Sequence, residues 1–246
     1  MKAEGGNLKA ECMAEAASPH HVTQVSNSNS FLPAKTLAVT IGIGGGWREV
    51  AERAAVRMTE ATGLPAQVIS SCQFLPPEWN PSWAKCWAFD LVPADVERLL
   101  IFDADIWAVA PFTEWDTDQP LAVVRHVATK PVRVERALYG LPDYWNGGLF
   151  VIRRSLADAL RMVATYGPHY GSWLEQTAIN RVFEYCDKAW LPGRCNHLLK
   201  PTLQTDTAIG GALGAIESGA TCLHFAGFGG SAAKIAAIYD ELEKLT

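Results

Sequence analysis

Several things are missing from this chain of 246 residues, and each absence excludes something. No apolar run approaches the ~20 residues of a membrane-spanning helix. The N-terminus has no apolar signal-peptide region. No block of Lys or Arg stands out against a net charge of −5 and a pI of about 5.7, which disfavours a large nucleic-acid surface and leaves room only for a local basic patch. The six cysteines form no CxxC pair and no zinc-ligand spacing. They read as mostly buried thiols of a reducing compartment, and the expected location is cytoplasmic. There is no internal repeat. What remains is 49% apolar and 19% charged, the balance of a globular chain long enough to bury a large core.

The stretch Arg98 to Trp107 organises what is there. An apolar run is interrupted by Asp103 and Asp105, one residue apart. On a strand, alternating side chains would place both carboxylates on one face. Two like charges there repel and are costly to desolvate. A divalent cation such as Mg2+ or Mn2+ is the simplest partner that makes the pair favourable. Two solvated aspartates at a strand end are the plainer alternative.

Residues 1–34 lack sustained periodicity and read as a mobile tail or leader, with 35–246 as one domain. Leu37 to Ile41 reads as a strand, Gly42 to Gly46 as a turn, Trp47 to Thr62 as a helix stopped by Gly63-Leu64-Pro65, and Ala66 to Ile69 as a second strand. That order indicates an α/β sheet with parallel strands. The glycine turn begins like the dinucleotide fingerprint G-x-G-x-x-G, but Trp47 stands at the third glycine position. No Lys-Ser/Thr follows, so it is not a P-loop. The glycines would let a ligand approach the backbone. Trp47 is either a stacking face for a base or a core residue.

Further along, Ser82 to Leu91 reads as a helix carrying Lys85. Leu121 to Val124 reads as a strand. The basic segment 125–143 is either a loop over a site or a solvated face. Asn146-Gly147-Gly148 leads into a strand, Leu149 to Ile152. Leu156 to Tyr166 and Trp173 to Tyr185 read as helices, the second with Glu175 and Gln176 in its first turn. A turn starts at Trp190, a short strand runs Cys222 to Phe225, and a last helix spans about 232–244.

Together these segments resemble glycosyltransferases of the GT-A fold, and family 8 in particular, over about Thr36 to Gly227. Val39-Thr40 with Trp47 resembles the first strand and its base-stacking aromatic. Ala84-Lys85 is similar to the family's helix lysine near the donor phosphates. Phe102-Asp103-Ala104-Asp105 resembles the metal-binding Asp-x-Asp. Trp145 to Val151 is similar to the Phe-Asn-Ser-Gly segment facing the sugar, and Glu175 to Asn180 to the Asp-Gln-Asp-x-x-Asn helix. Leu191-Pro192 through Asn196 resembles the Leu-Pro-x-x-x-Asn turn, and His224-Phe225-Ala226-Gly227 the closing His-Phe-x-Gly. Four positions depart from the pattern: Gly147 stands for Ser, Glu175 and Thr177 for the two acids, and Gly230 for a lysine, with Lys234 nearby.

The resemblance implies an α/β, GT-A-type, Rossmann-like α/β/α sandwich with a mostly parallel central sheet. It implies a metal-dependent, retaining glycosyltransferase that moves a sugar from a nucleotide-sugar, UDP-linked by preference, to an unidentified acceptor hydroxyl. The acceptor could be a glycan, a small molecule, a protein or a modified nucleic acid. Asp103, Asp105 and His224 would hold Mn2+ or Mg2+, the imidazole favouring Mn2+. Thr40, Gly42, Trp47, Lys85, Ala104, Gly147, Gly148 and Gly227 would meet the donor. Asn146, Glu175 and Gln176 would act at the sugar. Each residue also has a plainer reading: His224 as a core histidine, Lys85 as a surface lysine, Asn146 as a turn cap, Glu175 as a helix-terminal acid. A sugar-1-phosphate nucleotidyltransferase and a non-catalytic nucleotide-sugar-binding module are the alternative functions.

Overall fold

A computed structural model describes residues 23–25, 36–127, 129–170, 175–199, 204–226 and 231–245. In chain order its elements begin with β1 (Thr23–Val25), β2 (Thr36–Ile41), α1 (Trp47–Thr62) and β3 (Ala66–Ile69). A 3-10 segment, Pro81–Asp90, precedes β4 (Arg98–Phe102), β5 (Ile106–Ala108), β6 (Leu121–Arg125), α2 (Lys130–Tyr139) and β7 (Trp145–Arg153). Then come α3 (Ala157–Val163), α4 (Gln176–Val182), β8 (Lys188–Leu191), β9 (His197–Leu198), α5 (Thr205–Glu217), β10 (Cys222–His224) and α6 (Ala232–Leu242).

A 7-stranded sheet runs in the order β1-β3-β2-β4-β7-β6-β8. β3, β2, β4, β6 and β8 point one way, and β1 and β7 oppose them. Alternation along the central strands divides the core in two. Leu100 and Phe102 of β4 with Leu149 and Val151 of β7 pack on the side of α1, α5 and α6. Leu99 and Ile101 with Phe150 and Ile152 pack on the side of the 3-10 segment, α3 and α4. The result is the expected α/β/α sandwich. A second sheet of three short strands, β5-β10-β9, lies beside it. Among the described residues no helix is long and apolar enough to cross a membrane.

The first β–α–β unit follows local chemistry closely. Gly44, Gly45 and Gly46 all have positive φ (77°, 47° and 82°), a run that residues with a Cβ rarely adopt. α1 starts directly after them and stops at Gly63, which is left-handed and donates its N–H to Thr59 O at 2.8 Å. Gly42 has a different purpose. A Cβ there would lie 2.8 Å from Ala51 Cβ and 3.0 Å from Arg48 Cα, so this glycine lets α1 lie close against β2 and β3.

Other elements correct the sequence reading. Residues 1–34, read as a tail, include β1, which pairs antiparallel with β3. The Ser82 helix is 3-10 and breaks its dihedrals at Trp87. The basic segment after β6 holds a helix, α2, capped by the Thr129 side chain and ended by left-handed Gly140. Asn146, Gly147 and Gly148 lie inside β7 rather than ahead of it. Trp190 belongs to a strand, β8, and not to a turn. α4 begins at Gln176, and Trp173, the expected start, lies outside the described residues. α5 went unread because Gly210, Gly211 and Gly214 blunt its helix signal.

Gly42→Ala should therefore act on stability through the α1 contact. Forcing a methyl into that space should cost about 1–3 kcal/mol. Urea denaturation followed by circular dichroism would show it as a lower midpoint at unchanged slope.

Candidate active site

Asp103 and Asp105 do not lie on a strand. β4 ends at Phe102, and Asp103-Ala104-Asp105 forms the turn that carries the chain from the large sheet into β5 of the small one. The two carboxylates converge because the turn is pinned at every residue. Ile106 N–H donates to Asp103 O at 3.0 Å, and Asp103 N–H to Gly148 O at 2.7 Å. Phe225 N–H donates to Asp105 O at 3.0 Å, and the buried Tyr239 hydroxyl to Ala104 O at 2.8 Å.

His224 arrives through the small sheet. Antiparallel pairing of β10 with β5 sets it opposite Ile106, one residue past Asp105. Its Nε2 lies 3.3 Å from Asp105 Oδ1 and 3.9 Å from Asp103 Oδ2. One ligand atom from each of Asp103, Asp105 and His224 falls within 4.8 Å of the others. Gly148 leaves room for this cluster. A Cβ there would overlap His224 Cε1 and sit 2.8 Å from Asn146 Oδ1 and 2.9 Å from Asp103 Oδ2.

Beneath the cluster lies Lys85, 1% exposed, which excludes the surface-lysine reading. Its ammonium meets Asp103 Oδ1 at 2.5 Å, Glu175 Oε1 at 2.6 Å and Gly147 O at 3.1 Å. Three donors thus face three acceptors. Burial alone would lower the lysine, but Asp103 and Glu175 outweigh it and hold the ammonium above the usual lysine range. Asp103 itself is raised to about 6: burial raises it, Lys85 and His224 oppose, and the Asp105 and Glu175 charges push upward. Asp105 is held below the ordinary carboxylate range because His224 and Lys85 outweigh its burial.

The cluster opens onto a cavity of about 470 Å³. Of the expected residues, Trp47, Asp103, Ala104, Asp105, Asn146, Gly147, Gly148, Glu175, Gln176 and His224 all line it. Trp47 is half-buried at the start of α1, where it lines the cavity and also packs on the core. Gln176 Oε1 accepts from Gly147 N–H at 2.8 Å, while its buried Nε2 has no partner of hydrogen-bond geometry. Asn146 Oδ1 accepts from Gly148 N–H. Three residues expected to meet a donor do not line the cavity. Thr40 is buried in β2 and does not line the cavity. Gly42 is taken up by the α1 contact. Lys85 lies below the cavity lining, its protons already shared among protein acceptors. Gly227 lies outside the described residues.

Sequence reasoning missed several residues. Ile41 and Ile43 give the cavity an apolar wall beside Trp47, and Asn80 to Ser82 give another edge. His126, in the basic segment 125–143 read as a loop over a site or a solvated face, also lines it, and burial lowers its imidazole pKa. Asn196, seen only as part of a turn motif, touches His224 Nδ1 at 2.8 Å.

The fold is that of solved GT-A glycosyltransferases. The galactosyltransferase LgtC, solved with donor and acceptor sugar analogues, superposes with a TM-score of 0.58 at 13% identity, covering 83% of this chain and 95% of that one. A glycosyltransferase involved in glycosylation of the major capsid of PBCV-1 gives 0.56 at 13%, covering 82% and 98%. The bifunctional glycosyltransferase WbbM gives 0.55 at 12%, covering 82% of this chain and 48% of that one. No protein-family model and no curated protein sequence matches the chain.

Lys85→Met should be strongly destabilising, since it strands two carboxylates in a buried site. Breaking a buried ion pair from one side costs about 3–5 kcal/mol. Denaturant titration should show that loss, and adding Glu175→Gln should recover part of it because one stranded charge is gone.

Proposed function

We propose that this protein is a metal-dependent, retaining glycosyltransferase that uses a UDP-sugar. The observation that carries the reading is the Asp103–Asp105–His224 cluster opening onto a cavity of nucleotide-sugar size. Charge supports it. Asp103 and Glu175 pair with one ammonium, Lys85, and Asp105 lies against His224, so three ionised carboxyls and one ammonium leave two negative charges. A divalent cation balances them. Two carboxylate oxygens and one imidazole nitrogen are a donor set suited to Mn2+, and Mg2+ would use the same residues. Bound there, the ion supplies positive charge against which a departing diphosphate is stabilised.

The remaining roles belong to the chain itself. Trp47, with Ile41 and Ile43, offers a flat apolar wall for the base. Gly147 and Gly148 leave space for the sugar ring, and Asn146 presents its amide beside them. The orphaned Gln176 Nε2 is a donor that a sugar hydroxyl would satisfy. Glu175, held by Lys85, places negative charge near a sugar that becomes oxocarbenium-like during transfer. No covalent nucleophile is assigned. The nucleotidyltransferase reading draws no support from the glycine turn, where Arg48 is exposed and paired with Glu52 at 2.9 Å. Donor hydrolysis in the absence of an acceptor separates an enzyme from a mere binding module.

Calorimetry with UDP in Mn2+, repeated in EDTA, tests the metal. Binding should require the ion, and Asp105→Ala should abolish both the ion's effect and turnover while the far-ultraviolet spectrum stays unchanged. Trp47→Ala should weaken UDP by about 1–3 kcal/mol and Trp47→Tyr by much less. Equal affinity with and without metal would refute the assignment.

On the sugar side, Gln176→Ala should lower kcat far more than it weakens UDP, a product that lacks the sugar. NMR of the first-formed glycoside should show the anomeric configuration of the donor; inversion would overturn the retaining mechanism.

A further inference from the structure

A chain of hydrogen bonds leads from the sugar-facing strand to the histidine, and its sense can be read from one end. Gly148 N–H is a backbone group and can only donate. It lies 2.7 Å from the side-chain amide of Asn146, so the atom it meets is Oδ1. The same oxygen lies 2.8 Å from the side chain of Asn196. An oxygen already accepting there cannot donate, so Asn196 presents Nδ2. The other end of the Asn196 amide is then Oδ1, and it lies 2.8 Å from His224 Nδ1. An amide oxygen only accepts, so the ring proton sits on Nδ1. The nitrogen left to bind a cation is Nε2, the one that faces Asp105 and Asp103.

We infer that Asn196 is a positioning residue: it fixes the His224 tautomer so that Nε2 is presented to the two aspartates. The inference rests on the metal-site reading and deepens it. Asn146, Asn196 and His224 are 4%, 4% and 3% exposed, so water does not readily replace either amide. Both lone pairs of Asn146 Oδ1 are taken, one by Gly148 and one by Asn196. Reversing the Asn146 amide sets donor against donor at Gly148, and reversing the Asn196 amide sets acceptor against acceptor at Asn146. Position follows from the fold. Asn196 ends the 3-10 turn Gly193–Asn196 and feeds β9, which pairs parallel with β10 so that Leu198 stands opposite His224. The turn is braced by Cys195 N–H on Pro192 O and by Thr221 N–H on Arg194 O. The polar groups facing a metal ligand tune its basicity and orientation, and losing one commonly costs ten- to a hundredfold in metal affinity.

Three variants and two spectroscopic readouts test the inference on the protein without nucleotide. Mn2+ binding is read by electron paramagnetic resonance. The tautomer is read by long-range proton–nitrogen correlation of the histidine rings, with His224 assigned by its loss in His224→Gln. In the parent protein the His224 ring should carry its proton on Nδ1. Asn196→Leu, similar in volume but without polar atoms, should weaken Mn2+ by about ten- to a hundredfold and lose the Nδ1–H preference. Asn196→Asp keeps an acceptor for Nδ1–H and should keep the tautomer and bind Mn2+ better than Asn196→Leu. A parent ring protonated on Nε2 alone would overturn the inference even if no variant folds. So would Asn196→Leu that binds Mn2+ like the parent. If His224→Gln itself leaves Mn2+ affinity unchanged, the metal reading fails instead, independently of Asn196.

Discussion

The buried ammonium of Lys85 is the interaction on which the site depends. It joins residues 18 and 90 positions away, Asp103 and Glu175, and a backbone carbonyl of β7. These groups lie on the 3-10 segment, the turn after β4, the start of α4 and β7. A lysine so placed costs desolvation, and two carboxylates recover it only at bonding distance. The geometry of the carboxylates is therefore set before any ligand arrives. Pre-organised charge of this kind is what acts most strongly on a developing phosphate or oxocarbenium charge.

The second constraint is topological. β4 and β5 are nearly continuous in sequence but belong to different sheets, and the turn between them holds both aspartates. β10 returns antiparallel to β5 and delivers His224. β7, between β4 and β6, brings Asn146, Gly147 and Gly148 alongside. Strand-end ligand sites of α/β sheets are usually built from loops. Here one wall is strand, and this is possible because Gly148 has no side chain to strike His224.

Much of the fold was legible locally. The strand–turn–helix–strand opening follows from β-branched residues, three consecutive glycines and a glycine stop, all of which act within a few positions. The site residues were legible as chemical types. Their plainer readings were not separable from the sequence: whether Lys85 was buried, whether Gly42 served a ligand or a helix, and whether Thr40 faced a cavity all depend on distant neighbours. α5 and β9 escaped because a glycine-rich helix and a strand of two residues carry almost no periodic signal.

The aspartate pair shows the division most clearly. Spacing of one residue implied two carboxylates on one side, and they do converge, but through a turn and not through the pleat of a strand. The residues in order supply the available groups: two acids one residue apart, a histidine before Phe225, a lysine, and glycines where bulk would intrude. Long-range packing settles which of them meet, which two carboxylates the lysine pairs with, and which nitrogen of His224 faces the aspartates. Those outcomes depend on burial and on the fixed direction of hydrogen bonds from elements far apart in the chain. Neither is a property of any short stretch of residues.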